Sequence, residues 1–84
     1  MKTTLNKVSI GTYVTLSELN LNKNVKRRLR DLGLIKDTLI KPVYKSPLND
    51  PVAYLIRESV IAIRNSDAKK IIVTQGKKDE KTSQ

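Results

Sequence analysis

The sequence predicts a mainly β domain: a small, strongly bent barrel of about five strands, with one short α-helix between the first and second strands and a one-turn helix before the last. Three observations carry this reading. Short runs rich in Val, Ile, Thr and Tyr recur from Thr12 onward, separated by Gly, Pro, Asn and Asp turn signals. A single stretch, Val25 to Leu34, shows a helical repeat with a legible face and a legible stop. With 84 residues the chain is too short for a sandwich with two well-covered faces, and closing the sheet on itself removes most exposed edges.

Met1 to Lys7 holds one apolar anchor, Leu5, and reads as a loosely held lead-in. From Thr12 to Leu19 the residues Val14 and Leu16 alternate with Thr15, and Thr and Tyr favour extended backbone, which makes this the first strand. Leu19 and Leu21 lead into the helix. There Val25, Leu29 and Leu32 recur at i, i+4 and i+7 and form one apolar stripe. Lys23, Lys26, Arg27 and Arg30 fall on the opposite side, roughly 100° to 200° away at about 100° per residue. Asn22 or Asn24 supplies the N-terminal cap, and Gly33 supplies the left-handed residue that closes the last turn, with Leu34 folding back on it. Arg28 borders the apolar stripe, where its stem can lie along the core.

The second strand is Leu39 to Tyr44, and Pro42 within it removes a ladder donor, which marks an edge or a bulge. Ser46-Pro47-Leu48-Asn49-Asp50-Pro51 is a turn. Val52 to Ile56 and Val60 to Ile63 then form a hairpin around Arg57-Glu58-Ser59, with Val52, Tyr54 and Ile56 on one face and Ile61 and Ile63 on the same face of the next strand. Asn65 to Lys70 is a helical turn capped by Asn65 or Ser66, and Ile71-Ile72-Val73 is the last strand. The barrel domain is thus expected over 1–73. Residues 74–84 are polar and read as a disordered tail. The start at Met1 and this tail read as a complete, free-standing protein.

Composition narrows the chemistry. Only Tyr13, Tyr44 and Tyr54 are aromatic, so the core is expected to be aliphatic. There is no Cys, which fits a reducing compartment and removes disulfides and thiolate chemistry. There is no His either, and Asp31, Asp37, Asp50 and Asp67 are scattered over different elements, so no dedicated iron or other metal site and no cofactor are expected. Three glycines, at Gly11, Gly33 and Gly76, cannot make a phosphate loop, and no Ser/His, Cys/His or paired-carboxylate arrangement is present. The chain therefore reads as a non-enzyme without a small-molecule substrate. No apolar run reaches the roughly 20 residues that cross a bilayer. Seventeen Lys and Arg against eight Asp and Glu give a formal charge of +9, which favours an acidic macromolecular surface.

The order of these features resembles the FeoA family, small cytosolic accessory proteins of bacterial ferrous iron transport. Arg27-Arg28-Leu29 runs into Leu32-Gly33-Leu34, the turn Ser46 to Val52 follows a strand, and a hairpin ending Ile61-Ala62-Ile63-Arg64 precedes Ile71-Ile72-Val73. The likeness extends from about Leu5 to Val73. It departs at Asp37, Asn49 and Glu58, where the family usually has glycine. Asp and Asn tolerate left-handed backbone and Glu less so, which leaves the turn type of the hairpin open. The resemblance implies an SH3-like barrel in the cytoplasm, drawn to the inner face of the membrane by its partner, and a role beside the permease FeoB, whose cytosolic part carries the GTPase.

Two surfaces are candidate partner sites. The first is the cationic helix face of Lys23, Lys26, Arg27 and Arg30, which suits an acidic surface on the permease. The second is Pro47 with Tyr44 and Tyr54, since small barrels take up extended peptides against exposed aromatics and prolines. The weight against both is ordinary: a solvated helix face, and prolines that only fix a hairpin. Two other classes compete with a transport accessory. A nucleic-acid-binding barrel is favoured by charge but lacks aromatics interleaved on a basic strand face. The other is the same barrel as a domain of a metal-dependent repressor.

Overall fold

The computed structural model describes residues 1–75. Six strands form one antiparallel sheet: β1 (Lys2–Thr4), β2 (Val14–Leu19), β3 (Leu39–Lys45), β4 (Val52–Ile56), β5 (Ser59–Ile63) and β6 (Ile71–Gln75), in the spatial order β1-β6-β2-β3-β4-β5. A 3-10 turn covers Leu5–Lys7, α1 spans Lys23–Asp31 and α2 spans Asn65–Ala68. Val14, Leu16, Ile40, Val52, Tyr54, Ile56, Ile71 and Val73 all face inward and are at most 5% exposed. One sheet can bury its inner face so fully only by curling around it. Bulges between Leu16 and Glu18 in β2 and between Pro42 and Tyr44 in β3 provide the bends, and Leu5, Leu29, Leu34 and Ala68 fill the ends of the enclosed core. The bulge at Pro42 is the one its missing donor predicts.

The chain departs from expectation at both ends. The lead-in is fastened: Lys2 pairs with Thr74 and Thr4 with Ile72, and Leu5 is fully buried. Three polar residues show no alternation of their own, and their place comes from backbone bonds to a strand at the far end of the chain. The sheet therefore has six strands, the expected first strand begins at Val14 rather than Thr12, and β6 continues through Gln75. Thr74 and Gln75 belong to that strand, pairing with Thr15 and Val14, while the rest of the expected tail lies outside the described residues. Closure is also incomplete, because β1 and β5 are the outermost strands of the ladder.

Helix α1 is bounded by local chemistry. The Asn22 side chain accepts a bond from the Val25 amide at 3.0 Å, which settles the cap on Asn22. At the other end Gly33, at φ 104°, donates to the Arg30 carbonyl and Leu34 to the Leu29 carbonyl, the paired bonds of a Schellman stop. Leu34 thereby returns to the core beside Leu29. The apolar stripe is shorter than its spacing implies: Leu29 is buried and Val25 half-buried, but Leu32 caps the helix and is 45% exposed.

Beyond the stop, the buried Thr38 hydroxyl donates to the Gly33 carbonyl at 3.3 Å and accepts from the Ile35 amide at 3.1 Å. Backbone bonds from Asp37 to Leu16 and from Leu16 to Thr38 then tie this return to β2. Asp37 and Asn49 take left-handed backbone, φ 71° and 64°, at two of the three sites where the resemblance puts glycine. In the hairpin the left-handed residue is Arg57, at φ 60°, and not Glu58. Ile56 pairs with Ser59, so the loop holds only Arg57 and Glu58, and its geometry puts the positive φ on the first of them.

Candidate docking surface

The wrap of the sheet sets α1 between two flanks. On one side it faces β2 across a groove of about 400 Å³ lined by Leu16 to Asn20, Lys26, Arg30, Leu34, Ile35 and Lys36. Lys26 is half-buried, and Lys23, Arg27 and Arg30 are exposed. The groove thus gathers two of the four predicted helix cations, and Lys23 and Arg27 lie outside its lining. It also gains Lys36, which sequence reasoning missed. That residue reaches the groove only because the return through Asp37 and Thr38 is pinned to Leu16, a pairing that no local signal announces. Ile35, 52% exposed, adds apolar surface to the lining, and Glu18 sets one carboxylate among the three cations.

The second predicted surface is not assembled. Tyr44 is 61% exposed and Pro47 is exposed, but Tyr54 is 1% exposed and stands in the core. Strand alternation is the reason: Tyr54 shares the inner face with Val52 and Ile56, so it cannot also line an outer one. Burial, helped by the negative charge of Asp50, pushes its phenol up to about 12. The turn beside it is tied inward. Ser46 Oγ accepts from the Asp50 amide, Asp50 Oδ1 accepts from the Asn65 amide at 2.9 Å, and Asn65 Nδ2 donates to the Asn49 carbonyl. Asp50 thus satisfies the first amide of α2, in place of the expected local cap by Asn65 or Ser66; the helix's N-cap residue, Arg64, makes no side-chain cap.

Among the described residues no three His, Cys, Asp or Glu side chains come together in a way that could hold a metal ion. No described helix is long and apolar enough to cross a membrane. What the α1–β2 groove offers is three cations, Lys26, Arg30 and Lys36, and one carboxylate, Glu18, beside the apolar side chains of Leu16, Leu19, Leu34 and Ile35. Its excess of positive charge can attract and orient an acidic macromolecular surface.

The FeoA domain family matches residues 3–75. This chain belongs to the FeoA family. A Campylobacter jejuni protein named for Fe(2+) transport, transport protein A, is 31% identical over 70 residues, covering 83% of this chain and 95% of the relative. The solution structure of a FeoA protein from Chlorobium tepidum superposes with a TM-score of 0.83 at 26% identity, over 86% of this chain and 69% of that one. The crystal structure of Stenotrophomonas maltophilia FeoA, complexed with zinc and described as an SH3 domain protein, gives 0.71 at 30% identity over 83% and 87%. The six-stranded FeoA-family domain described here is accordingly SH3-like. A manganese-dependent transcriptional repressor shares the fold at 13% identity, with a TM-score of 0.78 over 89% of this chain and 42% of the repressor. At that identity the likeness is one of fold alone.

Proposed function

We propose that this FeoA-family protein is a non-enzymatic accessory of bacterial ferrous iron uptake, and that it binds and regulates a FeoB-type permease by docking α1 on the permease's cytosolic GTPase portion. The observation that carries this reading is the α1–β2 groove, where Lys26, Arg30 and Lys36 outnumber the one carboxylate, Glu18, and stand beside the apolar Leu19, Leu34 and Ile35. Such a surface supports recognition of an acidic patch: long-range attraction speeds encounter, and the apolar side chains add short-range affinity. The protein then acts in the cytoplasm and is held at the inner face of the membrane by its partner.

The test is a pull-down with the isolated cytosolic domain of the permease. Wild type and a Lys69→Glu/Lys70→Glu control, which changes the same charge outside the groove, are expected to bind. Lys26→Glu/Arg30→Glu is expected to lose binding. Retention by that variant discards the α1 surface, and failure of wild type discards direct docking.

A further inference from the structure

We propose that the protein forms a two-fold dimer in which β5 pairs antiparallel with β5 of a second copy, centred on Ile61. The two edges of the sheet are not alike. β1 is three residues long and carries Lys2, a short and charged edge of the kind that resists further pairing. β5 reads Ser59-Val60-Ile61-Ala62-Ile63, five residues with no charge, proline or glycine. Among the described residues it shows none of the devices that keep a sheet edge from recruiting another strand.

The register shows which backbone groups of β5 have no ladder partner among the described residues. Ile56 and Ser59 close the two-residue turn and exchange bonds, and so do Tyr54 with Ile61 and Val52 with Ile63, because bonded pairs alternate along an antiparallel ladder. The N–H and C=O groups of Val60 and Ala62 therefore point to the open edge. Both side chains are exposed, Val60 at 62%.

A two-fold axis at Ile61 sets Val60 opposite Ala62 of the second copy, and Ala62 opposite its Val60. Both free sets of backbone groups are then satisfied. The same register places Glu58 opposite Arg64 of the second copy, once at each end of the paired strands. Moving the strands by two residues in either direction breaks both ion pairs. A parallel arrangement in register would set like charges together. Glu58 and Arg64 are each exposed and flank the uncharged strand on either side.

The inner face of the edge is shaped for the same occupant. Between α1 and β5 lies a groove of about 220 Å³ lined by Val25 and Leu29 of the helix, its C-cap Leu32, and Ile61 and Ile63 of the strand, with Arg28, Arg64 and Asp67 also in the lining. Opposed residues of an antiparallel pair share a face, so Ile61 of the second copy enters this groove and Ile61 of the first enters the partner groove. Leu32, otherwise 45% exposed, gains cover. On the outer face, Val60 and Ala62 extend the rows that they share with Leu55 and Ala53 into the second copy.

The experiment is sedimentation velocity of the full chain over a concentration series. Wild type is expected to show a monomer–dimer equilibrium. Glu58→Arg alone and Arg64→Glu alone each set like charges at both ends and are expected to weaken the dimer by about tenfold or more. An equimolar mixture of those two variants restores unlike charges at both ends, and is expected to dimerise as wild type does. Backbone amide spectra of each variant establish that the fold is kept. A wild type that stays monomeric throughout overturns the proposal. So does a dimer indifferent to either reversal, or a mixture that fails to associate. Loss of permease binding in the edge variants of a monomeric protein also overturns it, by assigning the edge to a strand of the permease instead.

Discussion

Positive φ at Arg57 is the residue-scale feature with the clearest consequence. A non-glycine residue there carries about 1–2 kcal/mol of left-handed strain, against the ~0.5–1 kcal/mol of chain entropy that glycine loses on folding. Arg57→Gly is therefore expected to stabilise the fold by about 0.5–1 kcal/mol in urea unfolding. Glu58→Gly, at the neighbouring position with no strain to relieve, is expected to destabilise it by a similar amount. The reverse order of effects would put the left-handed residue at Glu58 after all. The sequence made Asp37 and Asn49 legible because their short polar side chains favour this backbone. Arg57 has no such preference, and only the two-residue loop reveals it. Tyr54 adds a pH dependence. Its acid form is favoured by the fold, with the pKa raised from 10.0 to about 12, so this contribution is whole below about pH 10 and is lost as pH rises through 12. Tyr54→Phe should flatten the alkaline fall in melting temperature over that window. An unchanged fall would assign it to another group.

Helix α1 was the most legible element, because its cap, stop and apolar face all arise from residues within one turn of where they act. Its last apolar position is the exception: Leu32 fits the i, i+4, i+7 spacing, but it lies at the cap and is 45% exposed. Truncation separates the two leucines. Leu29→Ala, at 6% exposure, is expected to cost about 2–4 kcal/mol, and Leu32→Ala, at 45%, under about 1 kcal/mol in the monomer, both read from denaturant midpoints at unchanged slope. Equal costs would mean that Leu32 packs as the spacing implies. β1 was illegible for the opposite reason. Three polar residues owe their extended form to bonds with Ile72, Val73 and Thr74, and nothing near them in sequence records it.

Across the whole molecule, the alternation of β4 and β5 and the turn signals were enough to predict a curled sheet around one core, but that core is not purely aliphatic as the composition implied, because the inward pleat of β4 puts Tyr54 in it. The six-strand order and the open β5 edge were not, since both depend on which distant strands meet. The same holds for the candidate docking surface. Lys26 and Arg30 were visible as a helix face, whereas Lys36 joins them only through the fold, and Tyr54 leaves the surface by the inward pleat of β4. A net charge of +9 draws many polyanions, so the proposed docking requires specificity from the arrangement of these groups and not from charge alone. Random oligonucleotides are accordingly expected to elute at moderate salt, while tight retention with a steep salt slope would favour a nucleic-acid partner. The most direct test of the central claim is the association rate with the permease's cytosolic domain, measured by stopped flow as ionic strength is raised. The groove account predicts a rate that falls steeply for wild type and for Lys69→Glu/Lys70→Glu, but is low and nearly flat for Lys26→Glu/Arg30→Glu. A salt-insensitive wild-type rate, or the same slope in all three proteins, would contradict it.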